Sequence, residues 1–270
     1  MTIKNILSVL LLIHGLTAFG QEENWDTYVA NYEKGPGSTL VDLSYKATAP
    51  LKDYPYLLVT GVKTTQCEKD GLPLKKEFDS LYKISDDVNK MVELNGKSKL
   101  VGTFTYQCKR LDYYYLQDTA HLREKLDSFY KTTFPSYEAF TTIKSDKSWE
   151  VYLGSLYPGE STLEYMSNQK VIVQLMKAGD KLTKPRKIDH WLYFKTKEGR
   201  AGFSNFAKAD LFSIEETSSV QNTAYPYLLK ISRVDRVELN AISNLTLKLK
   251  TKAREFDGEY DGWECIVIKD

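Results

Sequence analysis

Four carboxylates fall within eight residues near the C-terminus: Asp257, Glu259, Asp261 and Glu264, interleaved with Gly258 and Gly262. Hard cations such as calcium take oxygen ligands of this kind, but the spacing is not that of an EF-hand loop. The two glycines suit a turn between a helix and a strand, so turn chemistry is the preferred reading and no metal site is assigned. Asp189-His190 opens an apolar strand upstream. Were that strand end to approach the acidic segment, His190 with Glu259 or Asp261 would form an acid–base pair, the carboxylate stabilising the imidazolium. A hydrogen-bonded structural histidine is the preferred reading. The other downstream histidine, His121, follows Thr119 in the first turn of a helix and reads as solvated.

Other chemistries find little support. No Gly-x-Ser-x-Gly elbow and no cysteine nucleophile motif occurs. Gly35-Pro36-Gly37-Ser38 precedes a strand and lacks the lysine and helix start of a phosphate loop, so it reads as a backbone turn. Basic residues cluster at Lys181, Lys184, Arg186 and Lys187, and again at Lys248, Lys250, Lys252 and Arg254. Such clusters either contact an acidic partner or form ordinary solvated faces. The candidate binding set is Asp189, His190, Glu259, Tyr260, Asp261, Trp263, Lys184, Arg186 and Lys187. No cofactor is expected.

The elements that must position these residues divide at Leu156-Tyr157-Pro158-Gly159. Before it the pattern reads strand, strand, helix, strand, strand, helix, strand, strand. The first two strands are Thr39 to Lys46 and Tyr56 to Lys63. Leu74, Phe78, Leu81, Ile84, Val88 and Met91 then recur at helical spacing, and Asn95-Gly96 ends that helix. Aromatic-rich strands cover Val101 to Tyr106 and Tyr113 to Leu116, a helix buries Leu122, Leu126 and Phe129, and two strands bracket Ser145 to Ser148. After the seam, Ser161-Thr162-Leu163-Glu164 reads as a capping box opening a helix to Ala178. Strand, helix, strand, strand, helix, strand follow, the strands at His190 to Lys195, Phe212 to Glu216, Tyr227 to Val234 and Trp263 to Ile268. That order is the split βαβ, or ferredoxin-like, layout. The fold class is α+β with two domains. The C-terminal one is ferredoxin-like (βαββαβ); the N-terminal one is a related antiparallel α/β sandwich with extra strands. The pentapeptide Tyr-Pro-Tyr-Leu-Leu recurs at 54–58 and 225–229, out of register for a duplication.

The chain has 270 residues, 37 Lys+Arg against 36 Asp+Glu, 13% aromatics and 19 Tyr, with a mean hydropathy of −0.42. This describes a globular chain with ample core. A net charge of +1 offers no global field for a polyanion, and no nucleic acid is expected as partner. Met1 to Gly20 reads as a signal peptide: Lys4, then an apolar stretch from Ile6 to Phe19, then small residues at Ala18 and Gly20. That stretch is short of the roughly 20 residues a spanning helix needs. The expected mature chain begins at Gln21, has no transmembrane helix, and is periplasmic or secreted. Export permits disulfides. Cys67 and Cys108, each ending a strand, are the candidate pair, against two buried thiols; Cys265 is left over.

Two stretches carry a resemblance. Lys184-Pro185-Arg186-Lys187-Ile188-Asp189-His190-Trp191-Leu192-Tyr193-Phe194, together with Phe256-Asp257-Gly258-Glu259-Tyr260-Asp261-Gly262-Trp263-Glu264, resembles the regulator of ribonuclease activity B family, ferredoxin-like proteins whose founding members inhibit ribonuclease E. Trp25-Asp26-Thr27-Tyr28, Glu33-Lys34-Gly35-Pro36-Gly37-Ser38, Tyr54-Pro55 and Asp70-Gly71-Leu72-Pro73 resemble the domain of unknown function 695. The resemblance implies domains at 21–157 and 158–270 behind the leader, and a regulatory module that binds an unknown protein. Ribonuclease E is cytoplasmic, so an exported chain is not expected to meet it. The alternative is an envelope enzyme working through His190, Glu259 and Asp261.

Overall fold

The computed structural model describes residues 22–269; the leader expected at Met1 to Gly20 lies outside them. The strands are β1 (Trp25–Tyr32), β2 (Gly35–Asp42), β3 (Tyr56–Lys63), β4 (Ser98–Tyr106), β5 (Lys109–Leu116), β6 (Glu138–Ser145), β7 (Arg186–Phe194), β8 (Ser213–Ser219), β9 (Tyr227–Asp235) and β10 (Gly258–Cys265). The helices are α1 (Phe78–Asn95), α2 (Leu122–Thr133), α3 (Glu160–Lys177), α4 (Lys197–Ala209) and α5 (Leu239–Arg254). Two compact units result, one built on residues 32–154 and the other on 155–270, with Thr27–Asn31 grouped with the second.

The first sheet runs β1-β2-β4-β5-β3-β6 and the second β10-β7-β9-β8. Numbered within each βαββαβ run, both contain the strand order 4-1-3-2 with antiparallel neighbours. Both units are therefore ferredoxin-like at heart, and the first adds β1 and β2 beside β4. The repeated pentapeptide opens β3, first of its run, and β9, third of its run, as the sequence pattern implied.

In the first unit α1 and α2 cover one sheet face. Leu81, Ile84, Val88 and Val92 of α1 and Leu122, Leu126 and Tyr130 of α2 pack on Leu58, Val62, Tyr114 and Leu116. Of the helical spacing read from the sequence, Leu81, Ile84 and Val88 form the buried stripe of α1 together with Val92; Phe78 and Met91 are half-buried, and Leu74 precedes the helix. Gly96 caps the helix. In the second unit Phe203 and Ala207 of α4 and Leu249 and Ala253 of α5 pack on Leu192, Phe194, Leu229 and Ile231. An extra helix, α3, joins α5 over Ile188 and Trp263 through Ile172 and Leu175.

The structure corrects several boundaries. The stretch Gly35 to Ser38 is not a turn but the start of β2, and β1 precedes it. The first expected strand stops at Asp42 because its Oδ1 accepts from Asn24 N at 3.0 Å and Ser44 N at 2.9 Å, capping a 3₁₀ turn over Leu43–Ala47. Between Ser148 and α3 there is no strand. Tyr152–Leu156 form a π-helical turn, because Trp149 stacks on Tyr115 with ring centroids 3.9 Å apart. Asp146 also accepts from the Glu150 and Val151 amides. The capping box does not form: α3 starts one residue earlier, behind Gly159, with no side-chain cap, and Glu164 instead pairs with Lys250 at 3.0 Å.

The largest correction concerns the acidic segment. β10 begins at Gly258, not Trp263, so Glu259 to Glu264 are strand residues paired with β7, Gly258 opposite Phe194 and Glu264 opposite Asp189. A bulge between Tyr260 and Gly262 inserts one residue. Strand side chains alternate in period two, so the extra residue lets Tyr260 and Trp263 both face the helices.

Candidate functional site

Strand β7 alternates strictly: Arg186, Ile188, His190, Leu192 and Phe194 are buried, while Lys187 is exposed and Asp189, Trp191 and Tyr193 are half-buried. One strand thus supplies both an inner row under the helices and an outer row on the opposite face.

On the inner row His190 is fully sealed. Its Nδ1 and the Tyr260 hydroxyl share a hydrogen bond of 2.8 Å, and the Phe212 ring stands edge-on at 5.7 Å. Nε2 has no partner among the described residues. Burial first, then the nearby Arg233 charge, lower the imidazole to about 4, against a smaller opposing pull from Asp189. The alternative pairing with Glu259 or Asp261 does not occur. Both are exposed strand residues, and it is Tyr260 between them that turns inward. The acid–base alternative therefore loses its geometry: His190 is neutral at ordinary pH and has no carboxylate partner. Trp263 is structural as well. Its Nε1 donates to Asn168 Oδ1 at 2.6 Å, and the Asn168 amide donates to Ser243 Oγ at 3.2 Å and Thr246 Oγ1 at 2.8 Å. His121 lies exposed at the start of α2.

The basic cluster is dispersed. Arg186 is not a surface residue: it is 3% exposed and bidentate on Asp180, and it also donates to the Lys184 and Ile266 carbonyls. Asp180 further accepts from Leu182 N and Ile268 N, both at 2.8 Å. These contacts, Arg186 foremost, hold its carboxyl well below the usual range. Lys184 is exposed. On α5, Lys248 pairs with Asp210, Lys250 with Glu164, and Arg254 with Glu160. Among the described residues no group of three or more His, Cys, Asp or Glu is placed to hold a metal ion, and no helix is long and apolar enough to cross a membrane.

The outer row is where exposed chemistry collects. Lys230 of β9 lies 4.5 Å from the Trp191 ring centroid and 3.1 Å from Asp189 Oδ2. Lys187 pairs with Glu215 of β8 at 2.9 Å and lies 3.5 Å from Asp189. Glu215 also accepts from Ser232 Oγ at 2.6 Å. The Lys187 ammonium is raised and the Glu215 carboxyl lowered by these contacts. Lys187 and Asp189 belong to the expected set; Trp191, Tyr193, Glu215 and Lys230 do not. The alternation of β7 carried the signal for Trp191 and Tyr193, while Lys230 and Glu215 needed the strand register.

In the first unit Cys67 and Cys108 are joined by a disulfide with Cα atoms 5.8 Å apart. Cys265 is a free thiol, half-buried, and raised chiefly by burial.

Comparison with known proteins yields two family matches. Residues 23–157 match the Family of unknown function (DUF695), and residues 166–265 match Regulator of ribonuclease activity B. No curated protein matches. Among solved structures, a protein described as a glycine cleavage system transcriptional repressor aligns at 13% identity with a TM-score of 0.25, covering 79% of this chain and 98% of its own. An unknown protein from Galdieria sulphuraria aligns at 10% identity with a TM-score of 0.21, covering 79% and 99%. Neither likeness is close enough to support an argument. The chain belongs to the Family of unknown function (DUF695), and residues 166–265, which follow that match, are similar to Regulator of ribonuclease activity B.

Proposed function

We propose that this chain is an exported, non-catalytic module that binds another protein through the outer face of its C-terminal sheet. The two family matches support a regulatory or binding module; the partner and the compartment are the proposal. The observation that carries it is the outer row of β7. There Trp191 and Tyr193 stand half-buried beside Lys187, Asp189, Lys230 and Glu215. Protein interfaces draw their affinity from aromatic anchors ringed by polar groups. The second family's description names ribonuclease activity as its target. With the leader proposed at Met1 to Gly20, the target here is a periplasmic or secreted protein instead, and residues 21–157 and 158–270 form the two domains.

A photo-crosslinking residue placed at Tyr193 in cells tests the surface. One dominant adduct that disappears when Trp191→Ala is added supports the reading; no adduct, or one indifferent to Trp191, overturns it. The mature N-terminus tests the compartment: Gln21 in the envelope fraction is expected, and Met1 in the cytosol overturns export.

A further inference from the structure

The first unit carries a second surface that the proposed protein-binding face does not use. On the sheet face opposite α1 and α2, β4 presents Phe104 and Tyr106, and β5 presents Leu111 and Tyr113, with Phe104 paired to Leu111 and Tyr106 to Lys109. Tyr32, at the end of β1, closes the group. Its ring lies 5.3 Å from both Phe104 and Tyr106, and those two stack at 5.6 Å. Phe104, Tyr106, Leu111 and Tyr113 line a cleft of about 490 Å³ whose rim carries Glu33, Lys34, Gln107 and Lys109; Tyr32 packs behind Phe104 and Tyr106. That volume falls in the range of small-ligand sites, which combine aromatic walls with a few fixed polar groups.

The cleft is built rather than incidental. Gly37 lies under the rings: a Cβ there would come within 2.7 Å of Tyr32 and 2.8 Å of Phe104. The Glu33–Lys34 turn is pinned from two sides. Gln107 Nε2 donates to the Lys34 carbonyl at 2.6 Å, and Lys34 N donates to the Tyr106 hydroxyl at 3.0 Å. Gln107 is itself placed by its neighbour Cys108, which is bonded to Cys67 and whose amide donates to the Gly71 carbonyl at 2.7 Å. The disulfide thus anchors the turn that holds the rim. Burial, with help from Tyr32, pushes the Tyr113 phenol up to about 12, so it remains a hydroxyl donor at any physiological pH.

Aromatic faces without a deep apolar pocket suit a ligand that is flat and rich in C–H on its faces and hydroxylated at its edges. A pyranose ring has that form. Two rim ammoniums, Lys34 and Lys109, against one carboxylate, Glu33, add a preference for negative charge. We infer that the cleft lined by Phe104, Tyr106, Leu111 and Tyr113 binds an acidic oligosaccharide, its sugar rings on the aromatics and a carboxylate toward Lys34 and Lys109.

The test is calorimetry on the full mature protein with trigalacturonate and with galactotriose, which lacks the carboxylates. The acidic trimer is expected to bind at least about tenfold more tightly, with Phe104→Ala and Tyr106→Ala each weakening it by about tenfold or more. Lys34→Glu, on an exposed turn where folding is not at stake, is expected to remove the preference for the acidic trimer. No binding of trigalacturonate at about 10 mM, or equal binding of both trimers, overturns the assignment. So does binding that Lys34→Glu leaves unchanged.

Discussion

The two units share a strand order and differ in what they leave on the sheet face away from their helices. In the C-terminal unit ion pairs, Lys187 with Glu215 and Lys230 with Asp189, flank the half-buried Trp191 and Tyr193 on that face. In the N-terminal unit it is aromatic, stacked over Trp149 at one end and half-open around Tyr32 and Phe104 at the other. The means of holding shape differ in step. The first unit uses a disulfide across a separation of 41 residues. The second uses a buried ion pair, Asp180 with Arg186, to fix its C-terminal strand end. One topology therefore supports two kinds of surface, and the local fastener lies near the surface it serves only in the first unit.

The largest effect should come from breaking the ion pair. Arg186→Met leaves the Asp180 carboxylate buried with only backbone amides, a loss of about 3–5 kcal/mol. Urea denaturation should show a single lowered transition for the C-terminal unit. Removing both charges, with Asp180→Leu added, should restore part of the loss, since the cost lies in the unpaired charge. A single variant as stable as the parent would mean that solvent reaches Asp180, contrary to its placement.

Opening the disulfide should come next, and only in the other unit. Cys67→Ser is expected to cost about 2–4 kcal/mol, chiefly by freeing the unfolded chain, and to weaken trigalacturonate binding because the Gln107 turn loosens. Thermal unfolding with and without reductant reads the first effect, and calorimetry the second. If stability falls while sugar binding stays, the disulfide does not serve the cleft.

His190 separates the units by pH. Its folded-state value of about 4 lies below the roughly 6.5 of an unfolded histidine, so between those values the unfolded chain holds the extra proton. Stability from this group is complete above pH 6.5, falls as pH drops toward 4, and is flat below. The total is on the order of 3 kcal/mol. His190→Phe should flatten that part of the pH profile. A wild-type profile equally flat between pH 6.5 and 4 would show that His190 is hydrated in the folded state.

The sequence was most legible where one period governed a long stretch. The helical spacing on α1 put Leu81, Ile84 and Val88 in the core without any knowledge of tertiary structure. It was least legible where a single residue changed the rule. The bulge near Asp261 reads as a turn in sequence, because Gly-x-x-x-Gly among acids is turn chemistry, and only pairing with β7 makes it a strand. Arg186 reads as one of four basic surface residues, because its burial depends on Asp180 six residues earlier folding back onto it. Pairing of His190 with Glu259 or Asp261 is an alternative that rests on two strand ends approaching; the register, with Tyr260 opposite Leu192, gives that place to Tyr260.

The smallest stability effect is expected where the functional one is large. Lys230 is partly exposed, and its contacts to Asp189 and Trp191 are those of a surface ion pair and a surface cation–π contact, each contributing about 1 kcal/mol or less. Lys230→Met should therefore shift the unfolding midpoint of the C-terminal unit only slightly, while it removes the cation that positions Asp189 and Trp191 on the outer face. The crosslink from Tyr193 is expected to drop several-fold in the same variant. The equivalent change on the first unit, Lys34→Glu, should leave that crosslink intact and act on the sugar alone. If Lys230→Met destabilises the fold as much as Arg186→Met does, the outer row is a structural clasp like the inner one, and the division of labour between the two faces of β7 fails.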